Sequence, residues 1–355
     1  MQEKWFSTDF KQDALILAGD IGGTNTNLAI VGKTGNNFTI IMECVYKSGE
    51  VKDLADPVQE VLKIARAKNA ALVPTLCCIS AAGPVANNYC QLTNCKWAVD
   101  GADLKAKTGL ETLVINDFLA VGYGIPTLDV DNASQITKLK CTDGTLPAQT
   151  GTLKAVVGAG TGLGVGFLAA VDGKYIAYPS EGGHSGFAPF DKETNELTQY
   201  LTEKIGTAPG TEPFVSGQGI TNIFKFLVEK KNLAMDDLLK QIAAAPDENK
   251  PEMISKNAGS HKVCKEIMQL FVKMYGKFAG SLAVIFMSLG GMYLAGGIVT
   301  KNEKFFTENN LFMQYFEMNY NPNIRPLLKK IPVYIIKDYS ISIYGAANAG
   351  FSLMQ

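Results

Sequence analysis

Strand, glycine-rich turn, strand occurs twice in this chain, and that repeat limits its possible folds more than any other feature. The first copy enters through Ala14-Leu15-Ile16-Leu17-Ala18. It turns through Gly19-Asp20-Ile21-Gly22-Gly23-Thr24-Asn25-Thr26-Asn27 and leaves through Leu28-Ala29-Ile30-Val31. The second enters through Leu153-Lys154-Ala155-Val156-Val157 and turns through Gly158-Ala159-Gly160-Thr161-Gly162-Leu163-Gly164. It leaves through the apolar run that begins at Val165. Short apolar runs around turn residues read as β-hairpins, and their recurrence points to two related halves. The glycines leave backbone N–H groups open to close approach. Thr24, Asn25 and Thr26 add side-chain donors, and Asp20 adds a carboxylate at the strand end. Donors suit phosphate oxygens, and a carboxylate suits the Mg²⁺ that accompanies them. A polar hairpin turn with no ligand could carry the same residues.

At 355 residues the chain has room for two domains and a large core. A net charge of -1 argues against a nucleic-acid or anionic-membrane partner. Its seven cysteines, at 44, 77, 78, 90, 95, 141 and 264, are irregularly spaced. With only His184 and His261 beside them, a zinc site is not expected. Free thiols suit a reducing compartment, so the cytoplasm is the expected location. Met1 to Asp13 is polar and does not read as a signal peptide. Phe278 to Thr300 carries no charge and is long enough to span a bilayer, but Gly290-Gly291 and Gly296-Gly297 interrupt it. It reads as the end of a buried helix, a turn and a buried strand.

Between these landmarks, Phe38 to Val45 reads as a strand, and Asp56-Pro57 as an N-cap with proline at the first helical position. Pro74 to Ser80 is a strand, Asp100 caps a short helix through Lys107, and Glu111 to Ile115 is a strand delivering Asn116-Asp117. The first third thus reads β-β-β-α-β-α-β-α. Residues 129 to 149 read as loop or short strand, and residues 178 to 219 as loop. Helices are expected at Ile220 to Lys231, Met235 to Ala244 and about Val263 to Leu289, with a charged turn at Asp247 to Lys250. The long helix carries Ile267, Leu270, Phe271, Met274, Phe278, Leu282, Ile285 and Leu289 on one stripe. Strands at Met292 to Ala295 and Val333 to Ile336, a helix from Asn302 to Asn310 and a small-residue helix from Ser340 to Leu353 complete the chain. That last helix is expected to return to the first half.

Two familiar phosphate-binding loops are excluded. Neither turn is followed by the Lys-Ser or Lys-Thr of a P-loop. From Gly158 and from Gly160 the dinucleotide pattern fails, and both turns lead into strands rather than helices. Hairpin turns gripping a nucleotide between two lobes remain. Gly19 to Asn25, Gly158 to Gly162 and Leu294-Ala295-Gly296-Gly297 resemble the two phosphate motifs and the adenosine motif of the sugar kinase–actin–heat-shock ATPase superfamily. Within it, Asn116-Asp117-Phe118, Glu181-Gly182-Gly183-His184 and Glu212-x-x-Val215-Ser216-Gly217 resemble the bacterial-type glucokinases. The match runs in order over roughly residues 14 to 355. The Cys-rich zinc motif of the repressor-type sugar kinases is absent, which favours the zinc-free group.

The resemblance implies an α/β fold of two actin-like (ribonuclease H-like) lobes, each a mixed sheet with flanking helices, around a central cleft. The expected lobes are residues 1–127 with 339–355, and 128–338. It implies ATP-dependent phosphorylation of glucose at the 6-hydroxyl, with Asp117 as catalytic base. Asn116, Asp117, Glu181, His184 and Glu212 would bind the sugar. Asp20, Gly22, Gly23, Thr24, Asn25, Gly160, Thr161, Gly162, Gly296 and Gly297 would bind ATP, and Asp20 would hold Mg²⁺ directly or through water. Glucose and ATP are the expected partners, with no nucleic acid and no membrane, and a homodimer is the expected assembly. A kinase for another hexose, or a non-catalytic sugar- or nucleotide-binding relative, stays open. A transcription regulator would need a helix-turn-helix ahead of the first strand, and a chaperone a peptide-binding domain after Gln355; neither is expected. A filament-forming ATPase would lack Asn116-Asp117 with Glu181 and His184.

Overall fold

A computed structural model describes residues 1–93 and 95–354. The chain divides into two compact units. One comprises Met1–Asp129, Ala170–Tyr178 and the segment from Asp338 onward; the other comprises Val130–Ala169 and Pro179–Lys337. Relative to the expected boundaries, the first unit gains Leu128, Asp129, Asp338 and the hairpin tip Ala170–Tyr178.

The first unit opens with β1 (Gln2–Trp5), β2 (Ala14–Ile21), β3 (Asn25–Thr34), β4 (Asn37–Lys47), α1 (Ala55–Lys68) and β5 (Leu76–Ala81). Three short strands follow, β6 (Val85–Ala86), β7 (Tyr89–Gln91) and β8 (Ala98–Asp100), then α2 (Gly101–Thr108), β9 (Glu111–Asn116) and α3 (Asp117–Gly124). The main sheet runs β1-β4-β3-β2-β5-β9. β2, β5 and β9 are parallel, and β3, β4 and β1 are added antiparallel. β2 is central, so Ile16, Leu17 and Ala18 are fully buried, as its unbroken apolar run requires. Asp100 caps α2, accepting from the Ala102 and Asp103 amides. The N-cap position of α1 is Leu54, upstream of the expected Asp56, and makes no side-chain cap; just before it, Asp53 accepts from the Ala55 amide at 2.9 Å. The polar β1 and the small β6–β8 sheet had no apolar period to announce them.

The second unit holds β10 (Ile136–Leu139), β11 (Lys154–Ala159), β12 (Leu163–Val171) and β13 (Lys174–Ser180), the last two shared with the hairpin tip. Then come α4 (Lys192–Ile205), α5 (Gly217–Lys230), α6 (Asp237–Ala244), α7 (Lys250–Asn257) and α8 (Lys262–Phe286). β14 (Met292–Ala295), α9 (Gly297–Lys301), α10 (Glu303–Thr307), α11 (Leu311–Phe316), α12 (Arg325–Leu328) and β15 (Val333–Ile336) complete it. Its sheet runs β10-β15-β14-β11-β12-β13. Counted from its glycine hairpin, each sheet has the same order, third-second-first-fourth-fifth: β4-β3-β2-β5-β9 and β13-β12-β11-β14-β15. The repeat seen in the turns therefore extends to the topology.

Several expectations change. The stretch 178 to 219 contains α4, started by a reciprocal cap between Asp191 and Thr194, and α7 follows the charged turn at Asp247. The single helix expected from Asn302 to Asn310 ends at Thr307, where Glu308 turns extended at ψ 128°, and Asn309 and Asn310 follow with positive φ of 55° and 53°. On α8 the apolar stripe is core except at Ile285, which is 71% exposed near the helix end. No helix among the described residues is long and apolar enough to cross a membrane. The last helix, α13 (Ile341–Leu353), packs on α3, β2 and β5, all in the first unit. Its small residues permit this: a Cβ at Gly345 would lie 1.8 Å from the Ala120 carbonyl oxygen of α3.

Candidate active site

Parallel pairing assembles the first unit's site. Asp20 on β2 lies opposite Ser80 on β5, Ser80 lies opposite Ile115 on β9, and Ala81 lies opposite Asn116. The carboxyl ends of the three strands therefore share one edge, and Asp117 begins α3 there. The glycine turn is shorter than its sequence motif. Asp20 is still in β2, and only Gly22, Gly23 and Thr24 lie outside strands. The Gly22 amide closes the turn onto the Asn25 carbonyl oxygen at 2.9 Å. Ser48 Oγ donates to the Gly22 carbonyl oxygen at 2.7 Å, and Lys47 Nζ to Asn25 Oδ1 at 3.0 Å. Gly23 and Thr24 are exposed.

Burial sets the electrostatics. It pushes the Asp20 carboxyl up from 3.8 to about 6; the Ser80 hydroxyl, donating at 3.1 Å, opposes this, and the charges of Asp117 and Glu43 add to it. Burial also raises Asp117, against the pull of the Phe118 amide. Asn116 performs the capping that an acid at a helix start often performs. Its Oδ1 accepts from the Phe118 and Leu119 amides, and its Nδ2 donates to the Gly83 carbonyl oxygen at 3.0 Å. Asp117 Oδ1 also accepts from the Phe118 amide, at 2.9 Å. The expected sugar ligand Asn116 thus holds the loop in place. Mg²⁺ accompanying a nucleotide fits the donors here. Asp20 is a half-buried carboxylate whose repulsion by Asp117 a cation relieves, and Mg²⁺ keeps several waters and takes few protein ligands. Among the described residues no cluster of three or more His, Cys, Asp or Glu could hold a metal unaided.

The second unit brings its motifs together through backbone bonds. In the turn, the Gly160 amide donates to the Gly162 carbonyl oxygen at 2.9 Å, and the first amide of α5, Gly217, donates to the Gly160 carbonyl oxygen at 2.8 Å. Gly158 of β11 pairs with Ala295 of β14, which sets Gly296-Gly297 beside the turn. Gly296 has φ +98°, and a Cβ there would meet the Ala159 carbonyl oxygen at 2.5 Å, so only glycine fits. Glu181 precedes a 3-10 turn that His184 ends, with His184 Nε2 3.9 Å from Glu181 Oε2; the His184 side chain is 63% exposed and that of Glu181 93%. The Glu212 amide donates to the Gly183 carbonyl oxygen at 3.0 Å, while Glu212 Oε2 accepts from the Leu163 amide at 2.8 Å. Glu212 therefore ties the Glu181–His184 loop to the second glycine turn.

Beside that turn lies a cavity of about 910 Å³ whose lining includes Gly160, Thr161, Gly217, Ser255, Gly297 and Asn302. A Cβ at Gly160 would meet no protein atom within 4 Å, so space at this residue is not needed for folding. We expect Gly160→Val to raise the KM for a nucleotide triphosphate by at least about 10-fold through a lost close approach, with an unchanged melting temperature. Steady-state kinetics and thermal melting on one preparation check this; a lower melting temperature with equal effects on both substrates would reverse it. Ser48, Ser80, Ser255 and Asn302 lie outside the motifs. Strand register and turn geometry bring Ser48 and Ser80 to the first unit's glycine turn and Asp20, and helix packing brings Ser255 and Asn302 to the second unit's cavity.

The pattern of the glucokinase family matches residues 17–351. A glucokinase of Trichormus variabilis is 36% identical over 348 residues, covering 94% of this chain and 98% of its own. One of Yersinia pestis is 34% identical over 334 residues, covering 93% and 94%. Among solved structures, a glucokinase from an Antarctic psychrotroph superposes with a TM-score of 0.79 at 26% identity, covering 96% of this chain and all of that one. The family pattern spans nearly the whole chain, the relatives match it over nearly their full length at 36% and 34% identity, and the two-sheet α/β fold superposes: this chain belongs to the glucokinase family.

Proposed function

We propose that this protein transfers the γ-phosphoryl group of ATP to the 6-hydroxyl of glucose, with Asp117 as the base. The hydroxyl oxygen bonds to the γ-phosphorus, its proton passes to Asp117, and the bond to the β-phosphate oxygen breaks to release ADP and glucose 6-phosphate. The observation that carries the reading is Asp117 itself. It is a half-buried carboxylate at the first position of a helix whose capping falls to its neighbour, in a chain of this family. Burial raises its proton affinity, as a general base near neutral pH requires. Phosphoryl transfer asks mainly for positioning and charge neutralisation. The amides of the two glycine turns suit the phosphates, and Gly296 and Gly297 the nucleoside. Asp20 would hold Mg²⁺, which neutralises phosphate charge when bound. Glu181, His184 and Glu212 supply the mixed donors and acceptors that a polyol takes.

Coupled ADP release measured across glucose, mannose, fructose and N-acetylglucosamine tests the substrate. Glucose is expected to be turned over fastest; a faster second hexose would reassign the sugar. In the same assay His184→Ala is expected to weaken glucose binding by about 1–3 kcal/mol, because a polar partner is left unsatisfied, with the KM for ATP nearly unchanged. An unaltered glucose KM would make His184 an ordinary surface residue.

A further inference from the structure

A hydroxyl with a fixed hydrogen-bond role sits on the wall of the second unit's cavity. Asn302 is 7% exposed, at the junction of α9 and α10. Its Nδ2 donates to the Ile298 carbonyl oxygen at 2.9 Å. That bond decides which end of the amide is oxygen, since a carbonyl cannot face a carbonyl. Asn302 Oδ1 in turn accepts from the Ser255 hydroxyl of α7 at 2.7 Å. Both residues line the cavity. With its one hydrogen committed to Asn302, Ser255 Oγ can offer an incoming ligand only lone pairs. Such an oxygen accepts from an amino group and repels a carbonyl.

We propose that Ser255, oriented by Asn302, reads the 6-position of the donor nucleotide's base, accepting from the exocyclic amino group of adenine and rejecting 6-oxo purines. This rests on the reading that the cavity receives the nucleoside of ATP. It goes beyond that reading in assigning the choice of base to one hydroxyl. The amino group gains an acceptor, whereas a 6-oxo purine places two acceptors face to face with no hydrogen between them. A bond that merely braced α7 against α9 would affect every nucleotide alike.

The test compares kcat/KM for ATP with that for ITP, which has the same ribose and phosphates but a 6-oxo base. The wild type is expected to prefer ATP. Ser255→Ala is expected to lower the ATP:ITP ratio by about 5–20-fold, mainly through KM, while the KM for glucose holds. Ser255→Thr keeps the hydroxyl and is expected to keep the ratio. If the alanine variant melts lower, Ser255→Cys, of similar size but a weak acceptor, is expected to show the same fall. An alanine-variant ratio within about two-fold of wild type, or a parallel loss for both nucleotides, overturns the proposal at the level of one hydrogen bond. If the wild type turns over neither ATP nor ITP with any hexose, the kinase reading fails, and this proposal with it.

Discussion

Asp117→Asn is expected to lower kcat by about 10²–10⁴-fold, the usual contribution of a positioned general base. Glucose affinity should change far less. A primary hydroxyl holds its proton tightly near neutral pH, so the proton needs an acceptor as the bond to phosphorus forms. The amide keeps the shape of the carboxyl and can still accept a bond from the Phe118 amide, which Asp117 Oδ1 receives at 2.9 Å. It cannot take up the proton. α3 should survive the change, because its cap is Asn116. Turnover by coupled assay and glucose binding by calorimetry, on one preparation, separate the outcomes. Near-normal kcat removes Asp117 from the mechanism; equal loss of binding and turnover makes it a sugar ligand and not a base.

Asp20→Asn is expected to act in opposite directions on stability and on catalysis. The folded protein pushes the Asp20 carboxyl up from 3.8 to about 6. Well below pH 3.8 the group is neutral in both folded and unfolded chains and carries no penalty. As pH rises from about 4 to 6, the unfolded chain loses the proton first, so the wild type loses stability. Above that window the ionised group costs about 3 kcal/mol. An asparagine bears no charge and escapes this cost. The variant should therefore match the wild type at about pH 3 and exceed it by about 2–3 kcal/mol at about pH 7.5, as read by denaturant titration at both. In turnover it should fall well below the wild type, and added Mg²⁺ should not restore it. A variant less stable at pH 7.5 would show that the Ser80 bond outweighs burial. Full turnover would remove Asp20 from the nucleotide site.

Elements that bury an apolar period were legible in the sequence. The first hairpin, the strand reaching Asn116-Asp117 and the long α8 lie where the spacing of apolar residues puts them. α4 was not legible in that way. Its core face is only Thr194, Leu197, Tyr200 and Leu201, diluted among charged residues, and its clearest signal is the Asp191–Thr194 cap. α7 buries just Lys250 and Ile254, too little for a periodic pattern. Within the site, the motifs marked the backbone that approaches a ligand. They did not mark Ser80, which reaches Asp20 only because β2 and β5 pair in one register. Nor did they show that Asn116 caps α3 while its neighbour carries the acid. Such duties depend on which amide a side chain reaches, and adjacent positions in a sequence do not state that.

The shared edge of β2, β5 and β9 also determines where this chain can change length. Side chains alternate across a strand, so one extra residue within β5 turns every residue beyond it to the other face or slides it along its neighbours. Ser80 would then leave Asp20, and the strand ends that deliver Asp20 and Asp117 would fall out of line. The tip of the β12–β13 hairpin has no such constraint: Val171 to Lys174 are all exposed. One glycine inserted between Cys78 and Ile79 is expected to abolish turnover, and the same insertion between Asp172 and Gly173 to leave it within about two-fold of wild type. Relatives that differ in length should thus have gained or lost residues at such exposed tips, leaving the three parallel strands at constant length.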